Sequence, residues 1–315
     1  MSIRIIKKGL LDTIQDEGRY GYQHLGIHPS GVMDAVAMRI SNALIGNKAQ
    51  EAVIEIHFPA PILLFQQNAL IAISGADFDA RLNHELPVPI NRCIAIKAGT
   101  QLTFHQQVSG ARAYIAVRGG FDTPLWLNSA ATPIGLSSVG TRLHNEMILP
   151  FKNNSNQLFE NKIFSWTAIA PIDYRDNTIR YTAGYEINRL NDSIINNSTF
   201  TIDKSSNRMG YPLTGPPIVP KINSEILSTA VTRGTIQLLP SGQLIILMAD
   251  HQTTGGYPRI GHVITADFPK LAQRNAGESF QFKQVSLDEA HKALLEQELH
   301  LKQLETGCKL RMGDV

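Results

Sequence analysis

The run Leu244-Ile245-Ile246-Leu247-Met248-Ala249 is followed directly by Asp250-His251-Gln252-Thr253-Thr254-Gly255-Gly256-Tyr257-Pro258-Arg259. The first part predicts a buried strand, because it is short, continuous and apolar. The second part favours a loop that meets a polar ligand, since glycine lets backbone amides approach closely and Thr253, Thr254 and Arg259 add directional donors. The alternative is an ordinary turn in which the two threonines bond their own backbone.

Short apolar segments of the same kind recur along the whole chain. They are rich in Val, Ile and Phe and are separated by Gly, Pro or Asn, which is typical of strands joined by turns. The predicted strands cover residues 3–7, 53–58, 62–65, 69–74, 101–105 and 113–118, then 163–170, 179–182, 199–203, 235–239, 244–248, 263–266 and 280–285. This pattern predicts a mainly β fold with a few helices, arranged as barrels or sandwiches.

The two series of strands predict two β-rich domains. The polar, asparagine-rich stretch 152–157 has no apolar periodicity, so we place the boundary near residue 155. The domains are then 1–155 and 156–315, the second ending in a helix. Asp34 predicts the N-cap of a helix that runs to Ile45 and stops at Gly46. Ser286-Leu287-Asp288-Glu289 is a capping box, and it predicts a helix over 286–305.

Composition excludes several classes of protein. The chain has 315 residues, of which 43% are hydrophobic and 18% charged, as in an ordinary globular protein. Its apolar stretches reach about six residues, against the roughly 20 that a membrane span requires, and we expect no membrane partner. The first residues lack the apolar core of a secretory signal, which predicts a cytoplasmic protein. A net charge of +2 gives no indication of a nucleic-acid partner.

Cysteine and histidine spacing predicts neither a disulfide framework nor a metal site. Cys93 and Cys308 are the two cysteines of the sequence, and we expect both to be free thiols. His24 and His28 have the spacing of ligands on one helix face. However, Gly26 and Pro29 argue against a helix there, so no metal is predicted.

Two further loops combine glycine with polar side chains. Residues 13–22 include Gln15, Asp16 and Arg19 together with two glycines, and residues 205–211 include Arg208, whose guanidinium can clamp a carboxylate or a phosphate. The alternatives are a solvated turn for the first loop and an exposed hairpin turn for the second.

The three loops occur in an order that resembles one family along most of the chain. The matching segments are Thr13-Ile14-Gln15-Asp16-Glu17-Gly18-Arg19, Gly21-Tyr22-Gln23-His24-Leu25-Gly26, Ser30-Gly31-Val32-Met33-Asp34, Ser74-Gly75-Ala76-Asp77, Ala113-Tyr114-Ile115-Ala116-Val117-Arg118-Gly119-Gly120-Phe121-Asp122, Asn207-Arg208-Met209-Gly210-Tyr211, and Asp250 to Pro258. The chain resembles the family of the 5-oxoprolinase C subunit, also called allophanate hydrolase subunit 2 or the biotin-dependent carboxyltransferase family.

This resemblance implies cyclophilin-like β-barrels, here for the domain 156–315, and partners similar to the B and A subunits of 5-oxoprolinase. In the family the assembly uses ATP to open 5-oxoproline to glutamate. Relatives fused into urea carboxylase form part of the domain that passes carboxylate from biotin to urea. One departure is Gly184-Tyr185-Glu186, where many relatives have a Gly-Pro-Gln turn, which leaves the role of this turn open.

A lactam such as 5-oxoproline requires an anion clamp, a donor for its carbonyl oxygen and an acceptor for its N–H. Arg208 or Arg259 is the candidate clamp, and the amides of Gly255 and Gly256 with Thr253 or Thr254 are the candidate donors. Asp16 or Asp250 can accept the N–H or act as a base, and we expect Asp250 to be structural and Asp16 functional. Asp77 and Asp122 are predicted turn formers. The predicted catalytic residues are Asp16, Thr253 and Thr254, and the predicted substrate-binding residues are Gln15, Arg19, Arg208, Gln252, Gly255, Gly256, Tyr257 and Arg259.

Three functions remain open at this point. The first is the C subunit of an ATP-dependent 5-oxoprolinase that works with the A and B subunits. The second is a carboxyltransferase component that acts on a urea-like amide. The third is a non-enzymatic partner that restrains a protein of the B-subunit type in a regulatory circuit. No phosphate-binding loop of the usual kind occurs, so ATP is expected to be bound by or shared with the complex. No lysine has a methionine beside it, so any biotin is carried by another protein, and no G-x-S-x-G elbow supports a serine hydrolase.

Overall fold

The computed structural model describes residues 2–136, 138–152, 160–189, 194–219 and 226–313. The chain forms two compact units. The first unit comprises Met1–Gly18, Asp34–Pro171 and Leu299–Val315, and the second comprises Arg19–Met33 and Ile172–Glu298. The predicted boundary near residue 155 lies outside the described residues.

The first unit contains two six-stranded antiparallel sheets. Its strands are β1 Ser2–Lys7, β2 Thr13–Gln15, β3 Val53–Ile56, β4 Ile62–Phe65, β5 Ala69–Asp77, β6 Ala80–Leu82, β7 Leu86–Val88, β8 Arg92–Ile96, β9 Gln101–Phe104, β10 Ser109–Val117, β11 Ile148–Pro150 and β12 Lys162–Thr167. The sheet orders are β11-β1-β4-β9-β6-β7 and β12-β8-β5-β10-β3-β2. Residues of both sheets, among them Ile5, Phe65, Ile73 and Ile115, form one buried apolar cluster, as expected of a sandwich.

Helix α1 Ala35–Leu44 packs against β5 and β10 of this unit. Its N-cap is Asp34, whose carboxylate accepts a hydrogen bond from the amide of Ala37 at 2.9 Å. Gly46 follows the helix with φ 72°, a conformation that glycine adopts without steric cost. The predicted helix, its cap and its stop are therefore confirmed. Because α1 covers the outer face of β5, Leu70 and Ala72 are as buried as the residues that face the sandwich core.

The second unit is built on a closed barrel. Its strands are β13 Thr178–Ala183, β14 Thr199–Ile202, β15 Gly210–Thr214, β16 Thr229–Ala230, β17 Thr235–Leu238, β18 Leu244–Leu247, β19 Thr254–Gly255, β20 Arg259–Val263 and β21 Ser279–Gln284. Around the barrel the order is β13-β20-β17-β18-β15-β14-β21, and the parallel pairing of β13 with β21 closes it. Apolar side chains fill the barrel, among them Ile236, Leu238, Leu244 and Ile246.

Two helices follow the last part of the barrel. Helix α2 Phe268–Ala272 is short, and α3 Leu287–Met312 ends the described chain. The capping box is confirmed: the amide of Ser286 donates to the Glu289 carboxylate at 2.7 Å, and the amide of Glu289 donates to Ser286 Oγ at 3.1 Å. The helix continues to Met312 rather than ending at Glu305. No helix among the described residues has the length and hydropathy to cross a bilayer.

The mainly β fold with a few helices and a barrel is confirmed, and Cys93 and Cys308 are free and buried. The predicted strand over 263–266 is wrong, because β20 spans Arg259–Val263 and a 3-10 helix follows at Thr265–Asp267. Gly261 makes this strand difficult to predict, because glycine usually weakens a strand. It lies inside the strand, where a Cβ atom would stand 2.4 Å from Tyr181 Cδ2, so this glycine permits close packing and does not mark a turn.

Candidate functional site

The polar segment after β18 is held at its centre by backbone pairing. In β19, Gly255 and Thr254 pair antiparallel with Thr229 and Ala230 of β16. The amide of Val231 also donates to the carbonyl of Thr253 at 3.1 Å. We call this two-stranded sheet, β16 with β19, the ribbon. The predicted ligand loop is thus a supported element and not a free turn.

Two cavities of the second unit share Val231 and Thr254 as lining residues, so the ribbon borders both. The first, which we call the arginine cavity, has a volume of about 620 Å³. Among its lining residues are Tyr20, Gln23, His24, Ser30, Arg233, His251 and Thr253. The second, which we call the amide cavity, has a volume of about 590 Å³ and is lined by Asn207, Gln237, Gln252, Gly255, Gly256 and Tyr257 among others. Both volumes suit a small molecule.

A buried ion pair lies beside the arginine cavity. Arg208 donates from Nε to Asp250 Oδ2 at 3.0 Å and from Nη2 to Asp250 Oδ1 at 3.3 Å, and Nη2 also donates to the carbonyl of Gly31. Ser30, which lines the cavity, donates its hydroxyl to Asp250 Oδ1 at 2.6 Å. Arg208 therefore directs its fork at the carboxylate of Asp250, and the expectation that Asp250 is structural agrees with this geometry.

The guanidinium groups of Arg19 and Arg208 and the carboxylate of Asp250 all act on His28. Arg19 is buried, and its amide donates to the carbonyl of Pro29 at 2.8 Å. Burial lowers the pKa of His28, the charges of Arg19 and Arg208 lower it further, and Asp250 acts in the opposite direction. Two guanidinium groups thus act on this histidine against one carboxylate.

Arg233 places a guanidinium in the lining of the arginine cavity itself. Its Nη1 donates to the carbonyl of Val32 at 3.1 Å, its Nη2 donates to the carbonyl of Met33, and its Cζ lies 4.7 Å from the centre of the Phe268 ring. These contacts fix the side chain while its charge remains close to the cavity. An anion in the cavity gains from this field, because a low-dielectric surrounding screens it weakly.

Arg259 has a partner of its own. Its amide, Nε and Nη2 donate to the carboxylate of Glu186 at 2.9, 3.1 and 2.9 Å. The amide of Gly184 donates to the carbonyl of Ile260 at 2.8 Å, and a Cβ atom on Gly184 would stand 2.2 Å from the carbonyl of Arg259. The turn Gly184-Tyr185-Glu186 therefore fastens the end of β13 to β20.

The amide cavity holds most of the predicted residues of the first-quoted segment, namely Gln252, Thr254, Gly255, Gly256 and Tyr257. Its floor follows from the strand register, because Pro212, Ile245 and Gln237 stand side by side on β15, β18 and β17. The described lining contains no Asp, Glu, Lys, Arg or His. Gln237 is buried, and its Nε2 has no hydrogen-bond partner among the described residues. The chemistry of this cavity suits an uncharged ligand with a carbonyl oxygen.

Gln15 and Asp16 belong to the first unit. Gln15 donates to Thr13 Oγ1 at 3.0 Å and to the carbonyl of Thr132 at 2.8 Å. The Asp16 carboxylate accepts from the amide of Gly18 and from Ser129 Oγ, and its second oxygen accepts from the amide of Ala130. These bonds hold the segment in place, and the catalytic role of Asp16 stays a prediction.

The structure brings together residues that the sequence reasoning did not select. His28, Ser30, Arg233, Gln237 and His251 all lie at the two cavities or beside Asp250. His251 stands inside the first-quoted segment, so its position after a strand-ending carboxylate was a usable signal. Arg233 and Gln237 had no such signal. No group of three or more His, Cys, Asp or Glu suited to a metal ion occurs within the described ranges.

Comparison with known proteins gives the family. The model of the carboxyltransferase domain, subdomains A and B, matches residues 25–284. The chain belongs to this family. It is 35% identical to the 5-oxoprolinase C subunit of Escherichia coli K12 over 311 residues, which cover 96% of this chain and 97% of that protein. It is 36% identical to the 5-oxoprolinase C subunit of Haemophilus influenzae over 295 residues, which cover 93% and 94% of the two chains.

Among solved structures, the urea carboxylase of Kluyveromyces lactis superposes with a TM-score of 0.87 at 24% identity. The match covers 98% of this chain and 29% of that chain, and it shows a shared fold. The urea amidolyase of Saccharomyces cerevisiae is 27% identical over 338 residues, which are 99% of this chain and 18% of that protein. The family therefore includes chains of this length and segments of much larger proteins.

Proposed function

We propose that the chain is the C subunit of a 5-oxoprolinase and acts together with the A and B subunits. The reaction consumes 5-oxoproline, ATP and water and yields glutamate, ADP and phosphate, and we place it in the cytoplasm, where ATP is available. The observation that carries the proposal is the arginine cavity, because the substrate is a small monoanion and the guanidinium of Arg233 lines this cavity. The similarity to two proteins named as 5-oxoprolinase C subunits supports it.

The lining of the cavity supports two of the three requirements of the lactam, namely a positive charge for the carboxylate and a donor for the carbonyl oxygen. The charge of Arg233, with that of the Arg208 and Arg19 groups behind it, attracts the carboxylate. The hydroxyls of Thr253 and Thr254 are donors at the ribbon edge for the carbonyl oxygen, where one donor is commonly worth about 3 kcal/mol in a transition state. ATP reacts in the assembled complex, and this chain's own part in the proposal is to bind and orient the ring.

Reconstitution tests the proposal directly. The chain is co-expressed with candidate A and B subunits, and glutamate release from 5-oxoproline is measured with and without ATP. 2-Pyrrolidinone, the same ring without the carboxylate, is the matched control and is expected to remain closed, because it lacks the anion that the arginine cavity attracts. A stable complex that releases no glutamate in the presence of ATP would contradict the proposal.

One observation favours a second function, carboxyl transfer to a urea-like amide. The amide cavity has no Asp, Glu, Lys, Arg or His in its described lining and presents the carboxamides of Asn207, Gln237 and Gln252, which suit an uncharged planar amide. The matching family model is that of a carboxyltransferase domain. Loss of labelled carboxylate from a carboxylated biotin carrier, dependent on both urea and this chain, would support this function. A partner complex without either activity would instead support a regulatory protein.

A further inference from the structure

His251 is a buried imidazole at the arginine cavity. It follows Asp250 directly, lines the cavity with Thr253 and Arg233, and is only 3% exposed. Its Nδ1 atom is buried and finds no hydrogen-bond partner in the described part of the chain. Because Nδ1 is enclosed by protein, Nε2 is the ring nitrogen that remains for a ligand in the cavity.

Burial, together with nearby positive charge, favours the neutral form of the ring. Burial lowers the pKa of His251 to about 4, the charges of Arg233 and His28 lower it as well, and Asp250 opposes them. Arg19 and Arg208 act on the neighbouring His28 in the same direction. The neutral form of the imidazole therefore predominates from pH 5 to pH 8.

The burial of Nδ1 also indicates which ring nitrogen carries the proton. A neutral imidazole carries one N–H donor, and a buried N–H without an acceptor is rarer in proteins than an under-used acceptor. The proton is therefore placed on Nε2, which makes that atom the donor and Nδ1 the bare acceptor.

We propose that His251 is a substrate-contacting residue that donates an Nε2–H hydrogen bond to an uncharged carbonyl oxygen of a small monoanion bound in the arginine cavity. The identity of that monoanion as 5-oxoproline rests on the proposed function. Two groups then determine specificity. The guanidinium charge attracts the carboxylate, and the neutral ring of His251 selects ligands that also carry a carbonyl. A neutral donor suits an oxygen on which negative charge develops, because it stabilises that charge without transferring a proton.

Two substitutions separate the ring nitrogens. In His251→Gln the amide nitrogen takes a position similar to Nε2, whereas in His251→Asn it takes a position similar to Nδ1. We expect kcat/KM of the reconstituted complex to fall less than about fivefold for His251→Gln and about 100-fold or more for His251→Asn, as for loss of one oxyanion donor. His262→Gln is the control, since His262 is half-buried in the barrel, bonds Thr235 and does not line the cavity. Its activity should match that of the wild type.

Nitrogen NMR of the full chain provides a readout that needs no turnover. We expect the His251 ring to show a protonated Nε2 and a bare Nδ1, unchanged from pH 5 to pH 8, and the Nε2 signal to move when 5-oxoproline is added. If the wild-type complex releases no glutamate, the proposed function fails and the NMR result alone decides this inference. A protonated Nδ1, a titration midpoint between pH 5 and pH 8, no response of Nε2 to 5-oxoproline, or equal losses in the Gln and Asn variants would overturn it.

Discussion

At the scale of single residues, the structure gives protein partners to the two arginines that the sequence marks as candidate ligand clamps. Arg208 and Arg259 each hold a protein carboxylate, that of Asp250 and that of Glu186. Removal of one partner of a fully buried pair such as Arg208 with Asp250 is expected to cost about 3–5 kcal/mol of stability, because the remaining charge has no compensation. Loss of activity in an Arg208 variant therefore has two causes to separate, and the unfolding free energy of the variant must be measured beside its kinetics.

The buried carboxyl group of Asp12 is expected to make the free energy of unfolding depend on pH. Burial raises its pKa to about 6, against the opposing hydrogen bond from Gly9 and charge of Lys8. Because the unfolded chain releases this proton near pH 4, the folded chain binds more protons between pH 4 and pH 6, and this group's contribution to stability is lost as pH rises through that window. In Asp12→Asn that loss is absent. We expect the variant to gain about 2–3 kcal/mol relative to wild type between pH 4 and pH 7, measured by urea unfolding at each pH. Parallel curves for the two proteins would contradict the assignment.

Side-chain contacts between residues close in sequence were predictable, whereas contacts between residues far apart in sequence were not. The cap of α1 and the capping box of α3 were predicted correctly, because both depend on side chains three positions from the amides they bond. The ion pair of Asp250 joins residues 42 positions apart, and its bond to Ser30 spans 220 positions. No local pattern encodes such a meeting, since it depends on how the strands associate. The convergence of Gln15 with Arg208 and Thr254 stays a prediction.

At the scale of elements, most strands with continuous apolar runs were predicted, but β8 Arg92–Ile96 was missed although residues 93–96 are all apolar. The strand over 62–65 agrees with β4 in full, and 244–248 differs from β18 by one residue. Several of the missed strands are short: β6 and β7 have three residues each, and β19 consists of Thr254 and Gly255 alone. Such strands exist because a neighbour supplies their hydrogen bonds, which is a tertiary cause that propensity does not contain.

Gly255 has little space for a side chain in the ribbon. A Cβ atom on Gly255 would stand 2.7 Å from Nε2 of the buried Gln237, so either the ribbon or this carboxamide has to shift. We expect Gly255→Ala to displace the ribbon, so that hydrogen exchange of the backbone amides of β16 and β19 accelerates about tenfold or more, a loss of local stability of about 1.4 kcal/mol. Gly256→Ala is the milder control, because its nearest neighbour is the carbonyl of Ile226 at 3.2 Å. The double variant Gly255→Ala with Gln237→Ala should restore slow exchange. If it does not, the clash with Gln237 is not the cause.

At the scale of the whole molecule, the barrel unit contains both cavities in full, whereas Gln15 and Asp16 belong to the other unit. Binding and turnover are therefore separable. We expect the chain alone to bind 5-oxoproline, raising its melting temperature in proportion to the logarithm of ligand concentration above the dissociation constant, because a ligand of the folded state stabilises it by mass action. 2-Pyrrolidinone, which lacks the carboxylate, should produce no shift at the same concentrations. The chain alone should release no glutamate from 5-oxoproline and ATP until the A and B subunits are added. Glutamate release by the isolated chain would show that one polypeptide completes the reaction, and equal shifts with both ligands would show that the positive charge around the arginine cavity does not select the substrate.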